Sequence, residues 1–594
     1  MVSSCMRAAL VAGAFALLAL PTSSADAQRV GGVPREVSLE VTRLFNAATT
    51  RRVRGDFALD AADTVRSDLA VLNGNVRLQG VVLGDVVVLN GDVVLADGAR
   101  IAKGLTVLGG TFQAPERPDV AGDIRVWNAR YRYQESGDTL IAETDLLTRF
   151  SQWVQDGEEG NTLSRLFVTS AHTYNRVEGL PIFIGPRFRI RRGDTRVRGE
   201  LFGIVRTGDR LAWTDENLGH RALVEVKQGS EGGVAVGARL FDEVDAVERW
   251  QLTDAEVGLA TFLFARDYRD YWERHGGLAY ASLFSGRGHD VKVSFGEERW
   301  NSRRARDVWR LNDGVAFRSN PRTDEGVVRL LTVSGTYDTR TESRNPRSGW
   351  YLRAEYERGA GTDMQFSDGL TAGARPFAVS ASSLATDRLT YGRALFDLRR
   401  YSRVGPNVQL NLRAVFGGWV HGDPLPAQRR FAVSGIDALP GFDFRRTLGA
   451  NDVGSCATGD EGIYRRLGRP AQCERMALVQ AEWKGDFRLD LFGGDDSDRR
   501  WRFGRRGADG TWVLFANSGR GWLIDHSALA GPRSALAVAA DPLRFGRRRV
   551  PDIDTWRTDI GGGFDFGTFG VYVAQAVSQR GQSPNVYVRL GRRF

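Results

Sequence analysis

The sequence predicts an all-β protein: a transmembrane antiparallel β-barrel of sixteen strands, preceded by a small periplasmic β-solenoid. Three observations predict it. Val586, Val588, Leu590 and Phe594 share one parity at the end of the chain, while Arg589 and Arg593 fall on the other, so a closing strand would have one apolar and one wet face. From about residue 178 onward the chain is a succession of such alternating segments, with no uninterrupted apolar run near the eighteen residues a spanning helix needs. Ahead of them lies a short β-rich repeat punctuated by Gly, Asp and Asn.

The address comes first. Arg7, the thirteen-residue apolar run from Ala8 to Leu20 and the small residues of Ala25-Asp26-Ala27 read as a signal peptide over residues 1–27, cleaved before Gln28. Cys5 precedes the apolar run, which argues against a lipid-anchored lipoprotein. An exported chain of 42% hydrophobic content with 70 Gly, 14 Trp, 14 Tyr and 31 Phe fits a barrel, in which only alternate residues face lipid. The net charge of +9 rests on Arg, the lysines being Lys103, Lys227, Lys292 and Lys484. No zinc spacing, basic heptad helix or ribonucleoprotein motif accompanies it, so a nucleic-acid partner is not expected. Cys456 and Cys473 are predicted to form a disulfide in the oxidising exported compartment.

Residues 28–60 read as a linker carrying a short helix from Glu36 to Ala48. Residues 61–126 carry the repeat. Ser67-Asp68-Leu69-Ala70-Val71-Leu72-Asn73-Gly74 is echoed by Gly84-Asp85-Val86-Val87-Val88-Leu89-Asn90-Gly91, and Asp68, Asp85, Gly104 and Asp123 are spaced 17, 19 and 19 residues apart. Units this short bury their faces only by stacking, and the segment resembles the β-helical core of bactofilins. Residues 127–177 form a bridge, in which Leu146, Phe150 and Trp153 fall at helical spacing.

The barrel occupies residues 178–594. Val408, Leu410, Leu412, Ala414 and Phe416 alternate with polar residues, as do Trp350, Leu352, Ala354 and Tyr356. Fifteen segments between residues 180 and 594 read as strands. Residues 254–266 are readable as strand or helix, and counting them gives the even number that single-chain bacterial barrels require. Short joins at 286–288, 402–405 and Gly567 then fall on the side of the termini, and long ones at 300–326, 361–387, 420–475 and 520–553 fall on the other.

Three segments resemble the BamA/TamA family of outer-membrane barrels. They are Tyr337-Asp338-Thr339-Arg340 with Asn345-Pro346-Arg347-Ser348-Gly349-Trp350; Phe515-Ala516-Asn517-Ser518-Gly519; and Arg429-Arg430-Phe431 with Gly435 and Leu439-Pro440-Gly441-Phe442. The resemblance implies a long external loop that folds into the lumen at Leu439, Pro440, Gly441 and Phe442. The family's loop arginine is replaced by Pro440. Of the acids that would hold it, Glu482 stands at one position and the neutral Asn517 at the other, so Arg445 or Arg446 is expected to approach Glu482. The tandem client-receiving modules of the family are missing from residues 28–176.

No enzyme is expected. Asp525-His526-Ser527 are adjacent, whereas a triad needs side chains that converge. Asp495, Asp496 and Asp498 read as a solvated turn rather than a metal site, and no cofactor is expected. The resemblance implies envelope biogenesis through a gated barrel in the outer membrane, with both termini periplasmic. Lipids and lipopolysaccharide would surround it, and an unknown periplasmic protein or cell-wall partner would meet the solenoid. The alternatives are a closed barrel anchoring the solenoid, or a passive channel.

Overall fold

The computed structural model describes residues 35–593 except 116–117, 128–130, 132, 137–138, 143–161, 171–173, 209–213, 287, 312–316, 342–345, 368–386, 406, 434, 443–472, 490–507, 525, 527–543, 546–549, 568, 579–582 and 591. The predicted signal peptide, Leu146, Phe150 and Trp153, Arg445, Arg446, Cys456, the Asp495–Asp498 turn, Asp525, Ser527 and Phe594 lie outside the described residues.

The repeat folds as predicted into a solenoid of about four turns. Its thirteen short strands stack in parallel as three sheets of five, four and four strands. Leu69, Val71, Val86, Val88, Leu105 and Val107 fill the interior with no exposed surface, each stabilising it by about 1.5–3 kcal/mol. The repeated Asp has a specific task. The Asp68 Oδ1 accepts the Asp85 N–H at 2.8 Å, the Asp85 Oδ1 accepts the Gly104 N–H at 2.9 Å, and Asp92 accepts from Thr111 one turn on. Each side chain thus satisfies a corner amide of the next rung, where strand pairing lapses. At the Asn-Gly corner a Cβ on Gly91 would lie 1.8 Å from the Gly74 carbonyl oxygen, so only glycine stacks there. The outer face of the five-stranded sheet is apolar too. Helix α1 (Arg35–Asn46) covers it with Val37, Val41 and Phe45, which pack on Ala70, Leu72, Val87, Leu89 and Trp127. The first rung starts at Arg51, inside the expected linker. Its strand Arg51–Arg54 carries arginines that keep a sheet edge from templating further strands, and this hides it from an apolar search.

Among the described residues the barrel sheet has sixteen antiparallel strands in sequence order: β1 (Thr162–Thr169), β2 (Pro181–Arg192), β3 (Thr195–Arg206), β4 (Leu218–Gln228), β5 (Gly232–Ala246), β6 (Tyr271–Ser285), β7 (His289–Ser302), β8 (Glu325–Asp338), β9 (Gly349–Gln365), β10 (Leu389–Arg403), β11 (Val408–Gly422), β12 (Arg475–Leu489), β13 (Ala508–Ile524), β14 (Arg557–Asp565), β15 (Gly570–Ala576) and β16 (Asn585–Arg589); the two-residue segment Arg544–Phe545 adds a short parallel pairing to the end of β13. Leu201, Val224, Val236, Leu283, Phe295 and Val586 lie on the exposed outer parity, as lipid-facing positions do.

The sixteenth strand is not where the sequence suggested. Residues 254–264 form a helix, α2 (Asp254–Phe264), whose N-cap Thr253 and Glu256 make a reciprocal capping box. The missing strand is β1, in the expected bridge, and it pairs with β2 from Thr162↔Arg189 to Thr169↔Phe183. Strands β2 to β5 therefore run opposite to the direction first inferred. The two-residue turn at 193–194 falls on the side of the termini and the longer connection 207–217 on the far side, which satisfies the short-turn rule better. The sheet order ends at β1 and β16, with no ladder pairing between them among the described residues.

The solenoid touches the terminus-side rim at two arginines. The Arg347 Nη1 donates to the Gly109 carbonyl oxygen at 3.2 Å, and the Arg403 Nη1 pairs with Asp92 at 2.7 Å. Arg347 precedes β9 and Arg403 ends β10, about halfway round the ring from the β1/β16 seam.

Candidate functional site: the inserted loop and its lumen wall

The connection 423–474 joins β11 to β12. Its root is fixed by a buried cluster. The Arg429 guanidinium lies over the Trp272 and Trp300 rings, 5.0 and 5.1 Å from their centroids, and its Nε donates to Glu357 at 2.8 Å. Gln428 and the Ala427 N–H hold Asp324, a carboxyl that burial pushes above its usual range despite nearby Arg430. At the return, buried Glu474 accepts the Leu425 and Ile524 N–H groups and lies 2.9 Å from the His526 Nε2. Burial alone would raise the Glu474 carboxyl. His526, Arg430 and the Ile524 amide outweigh it and hold the group below its usual range.

From this root the chain turns tightly between Gly435 and Leu439 and packs against the inner face of the wall. Leu439 is fully buried and Phe442 nearly so, both within the large apolar cluster that includes Leu478, Trp522 and Ala576. Phe442 also lies under the Arg557 guanidinium, 4.9 Å away. The Gly441 N–H donates to the Asp559 Oδ2 at 2.7 Å, and the Pro440 carbonyl accepts from the Asn585 Nδ2 at 3.1 Å. A Cβ on Gly441 would meet Asp559 Cβ at 2.6 Å and Ala576 N at 2.8 Å, so backbone lies directly against wall. The Gln480 Nε2 donates to the Asp437 carbonyl at 2.8 Å. The Asp437 carboxylate bridges Arg413 of β11 at 3.4 Å and Arg589 of β16 at 2.9 Å. The loop is thus bonded to β11, β12, β14 and β16.

Glu482 and Asn517 both face this lumen. Glu482 accepts from Asn411 at 3.0 Å and lies 3.6 Å from Lys484 and 3.5 Å from Arg593. Among the described residues its cations come from its own strand and from the end of the chain; Arg445 and Arg446, expected to approach it, lie outside the described residues. Asn517 donates to the Asp559 Oδ1 at 2.6 Å and accepts from Arg593 at 3.1 Å. Val586 and Val588 point outward, 72% and 57% exposed, while Arg589 and Arg593 are buried in the lumen. Leu590 lies just past the strand, half-buried. Buried Cys473 bridges to Phe431 through the backbone.

Sequence reasoning missed Asp437, Asp559, Arg413 and Gln480. The acid it sought at 517 sits one strand over, directly opposite in the ladder at Asp559. It binds a loop backbone amide, which needs no arginine. The signal was legible: a carboxylate immediately before Ile560 and the glycine run Gly561-Gly562-Gly563, on lumen parity. His526 pairs with Glu474, and among the described residues no group of three or more His, Cys, Asp or Glu is placed to hold a metal.

No protein-family model matches the chain, and no curated protein matches it. Among solved structures it is similar to the crystal structure of BamA from Haemophilus ducreyi lacking POTRA domains 1-3, at 10% identity and a TM-score of 0.39 over 77% of this chain and 80% of that one. It is also similar to CdiB from Escherichia coli, at 11% identity and a TM-score of 0.28 over 78% and 67% of the two chains. CdiB from Acinetobacter baumannii gives 9% and 0.27 over 77% and 70%.

Proposed function

We propose that this chain is a gated outer-membrane barrel of envelope biogenesis, with periplasmic termini, that inserts or translocates protein. The observation that carries the reading is the loop at 435–442, which lies against the inner face of the wall and is bonded to four strands, including the last. A loop so placed couples the state of the lumen to the wall beside the seam. Among the described residues the strands bordering that seam have no ladder pairing to each other, and such edges can template a client strand. Pro181 and Pro186 in β2 cannot donate to a ladder, which softens the same region. Lipids and lipopolysaccharide would surround the wall, and a periplasmic protein or cell-wall partner would meet the solenoid.

Planar-bilayer conductance of the refolded protein, intact and lacking residues 436–447, tests this. Low, flickering conductance that rises on deletion is expected; large steady pores from both forms would refute the plug. A second reading, a closed barrel that anchors the solenoid, is favoured by the Arg347 and Arg403 contacts to the solenoid. It requires both forms to be silent although folded and inserted.

A further inference from the structure

Helix α2 is anomalous in this barrel. It belongs to the external connection 247–270, yet Asp254–Phe264 is apolar on all sides apart from its first turn. Leu259 and Phe264 are 43% and 59% exposed, while Val257 and Thr261 are fully buried. A helix apolar all round is stable in a core or against lipid rather than in water.

Its two ends are held by the two borders of the seam. At the first turn, the Glu256 Oε1 accepts from the Arg589 Nε at 2.5 Å and from the Leu590 backbone N–H at 3.0 Å. The Glu256 Oε2 lies 3.3 Å from the Arg589 Nη2 and also accepts the Thr253 N–H at 3.0 Å. One carboxylate thus closes the helix's capping box, pairs with a cation of β16 and takes an amide immediately past that strand. At the other end, Phe262 packs edge-on against Tyr174, ring centroids 5.6 Å apart, and lies 4.8 Å from Trp309. The Arg176 N–H donates to Asp267 at 3.0 Å, and its guanidinium pairs with Asp270 at 3.1 Å. Tyr174 and Arg176 belong to the connection that follows β1.

From this arrangement we propose that α2 is a latch across the seam. It is released when the Glu256 contacts to Arg589 and Leu590 are broken, and it competes with an incoming strand for the border of β16. The proposal rests on the strand-capture reading given above and names its regulation. Glu256 satisfies an amide that a ladder partner would otherwise take, so capture of a client strand and closure of the latch exclude each other. Apolar Leu259 and Phe264 suit a helix that fills a gap in a lipid-facing wall.

The test uses the full chain in lipid nanodiscs. Val257→Cys reports release of the helix through its labelling rate with a water-soluble maleimide, corrected for the protein without that cysteine. A synthetic peptide of residues 584–594 reports strand capture. Glu256→Ala removes both the ion pair and the cap, whereas Glu256→Gln keeps the cap and loses the charge. Labelling about tenfold faster in both variants is expected, as is tighter peptide binding in both, because a charge-assisted hydrogen bond of this kind contributes about that factor. Unchanged labelling in both variants overturns the latch, whatever the peptide does. Faster labelling confined to Glu256→Ala overturns it as well, since loss of the cap would then suffice. Faster labelling in both with no peptide capture by any form overturns strand capture and leaves the latch standing.

Discussion

Replacing Gly441 by alanine should eject the loop from the lumen. The added methyl would lie 2.6 Å from Asp559 Cβ, 2.8 Å from Ala576 N and 2.9 Å from Gln575 C. Two of these atoms are backbone of β15, and the third is anchored because Asp559 accepts from Asn517 at 2.6 Å, so the wall cannot yield by rotating a side chain. Overpacking of a filled core costs about 1–3 kcal/mol. If the loop recoils to relieve it, the Gly441 amide leaves the Asp559 carboxylate, a further loss of about 1.5–3 kcal/mol for a hydrogen bond to a charged group. Taking about 3 kcal/mol for the two together, the balance between inserted and ejected loop moves about a hundredfold. Single-channel recording should show that shift as longer and larger openings, and limited proteolysis should cut between residues 436 and 447 more readily. Asp559→Asn keeps the shape and removes only the charge, so it should give a smaller change of the same sign. Wild-type conductance together with wild-type proteolysis for Gly441→Ala would refute the reading that this glycine seats the plug.

Gly91→Ala should unfold the solenoid while sparing the barrel, because its Cβ would lie 1.8 Å from the Gly74 oxygen in a stack with no slack; the cost exceeds about 3 kcal/mol, and proteolysis of residues 51–127 with an intact heat-modifiable barrel on gels would report it. The Glu474 anchor should weaken in acid. Its carboxyl is held below the usual range in the folded state, so its stabilisation is fully present above the unfolded carboxyl value of about 4.3 and is lost as pH falls through the depressed folded value. Hydrogen exchange at Leu425 and Ile524 should therefore accelerate below about pH 4, a dependence that Glu474→Gln should abolish. Peptide mapping without reductant should recover Cys456 linked to Cys473; two free thiols would refute that pairing.

Much of the architecture was legible because barrels and solenoids are written as periodicity. Alternation places Val586 and Val588 outward and Arg589 inward without any tertiary information, since a strand has only two faces. The solenoid's repeat placed Asp68 and Asp85 at equivalent corners, and a stacked rung can use them in only one way. The first barrel strand was not legible, because Thr162–Thr169 is short and follows a sequence rich in acids and glycine, and only its ladder with β2 marks it as wall. Nor could the sequence decide residues 254–264, whose apolar run suits a strand or a helix equally. The Thr253–Glu256 box favours helix locally, and the contact with Arg589, more than three hundred residues away, fixes its place. The loop motif is legible at Leu439–Phe442, but its wall contacts were expected at Glu482 and Asn517, and Asp559 was not among them. Local pattern determines which face a residue lies on. Which residues meet across a lumen depends on register and strand number around a closed ring, and those are set by long-range hydrogen bonds that only the tertiary structure decides.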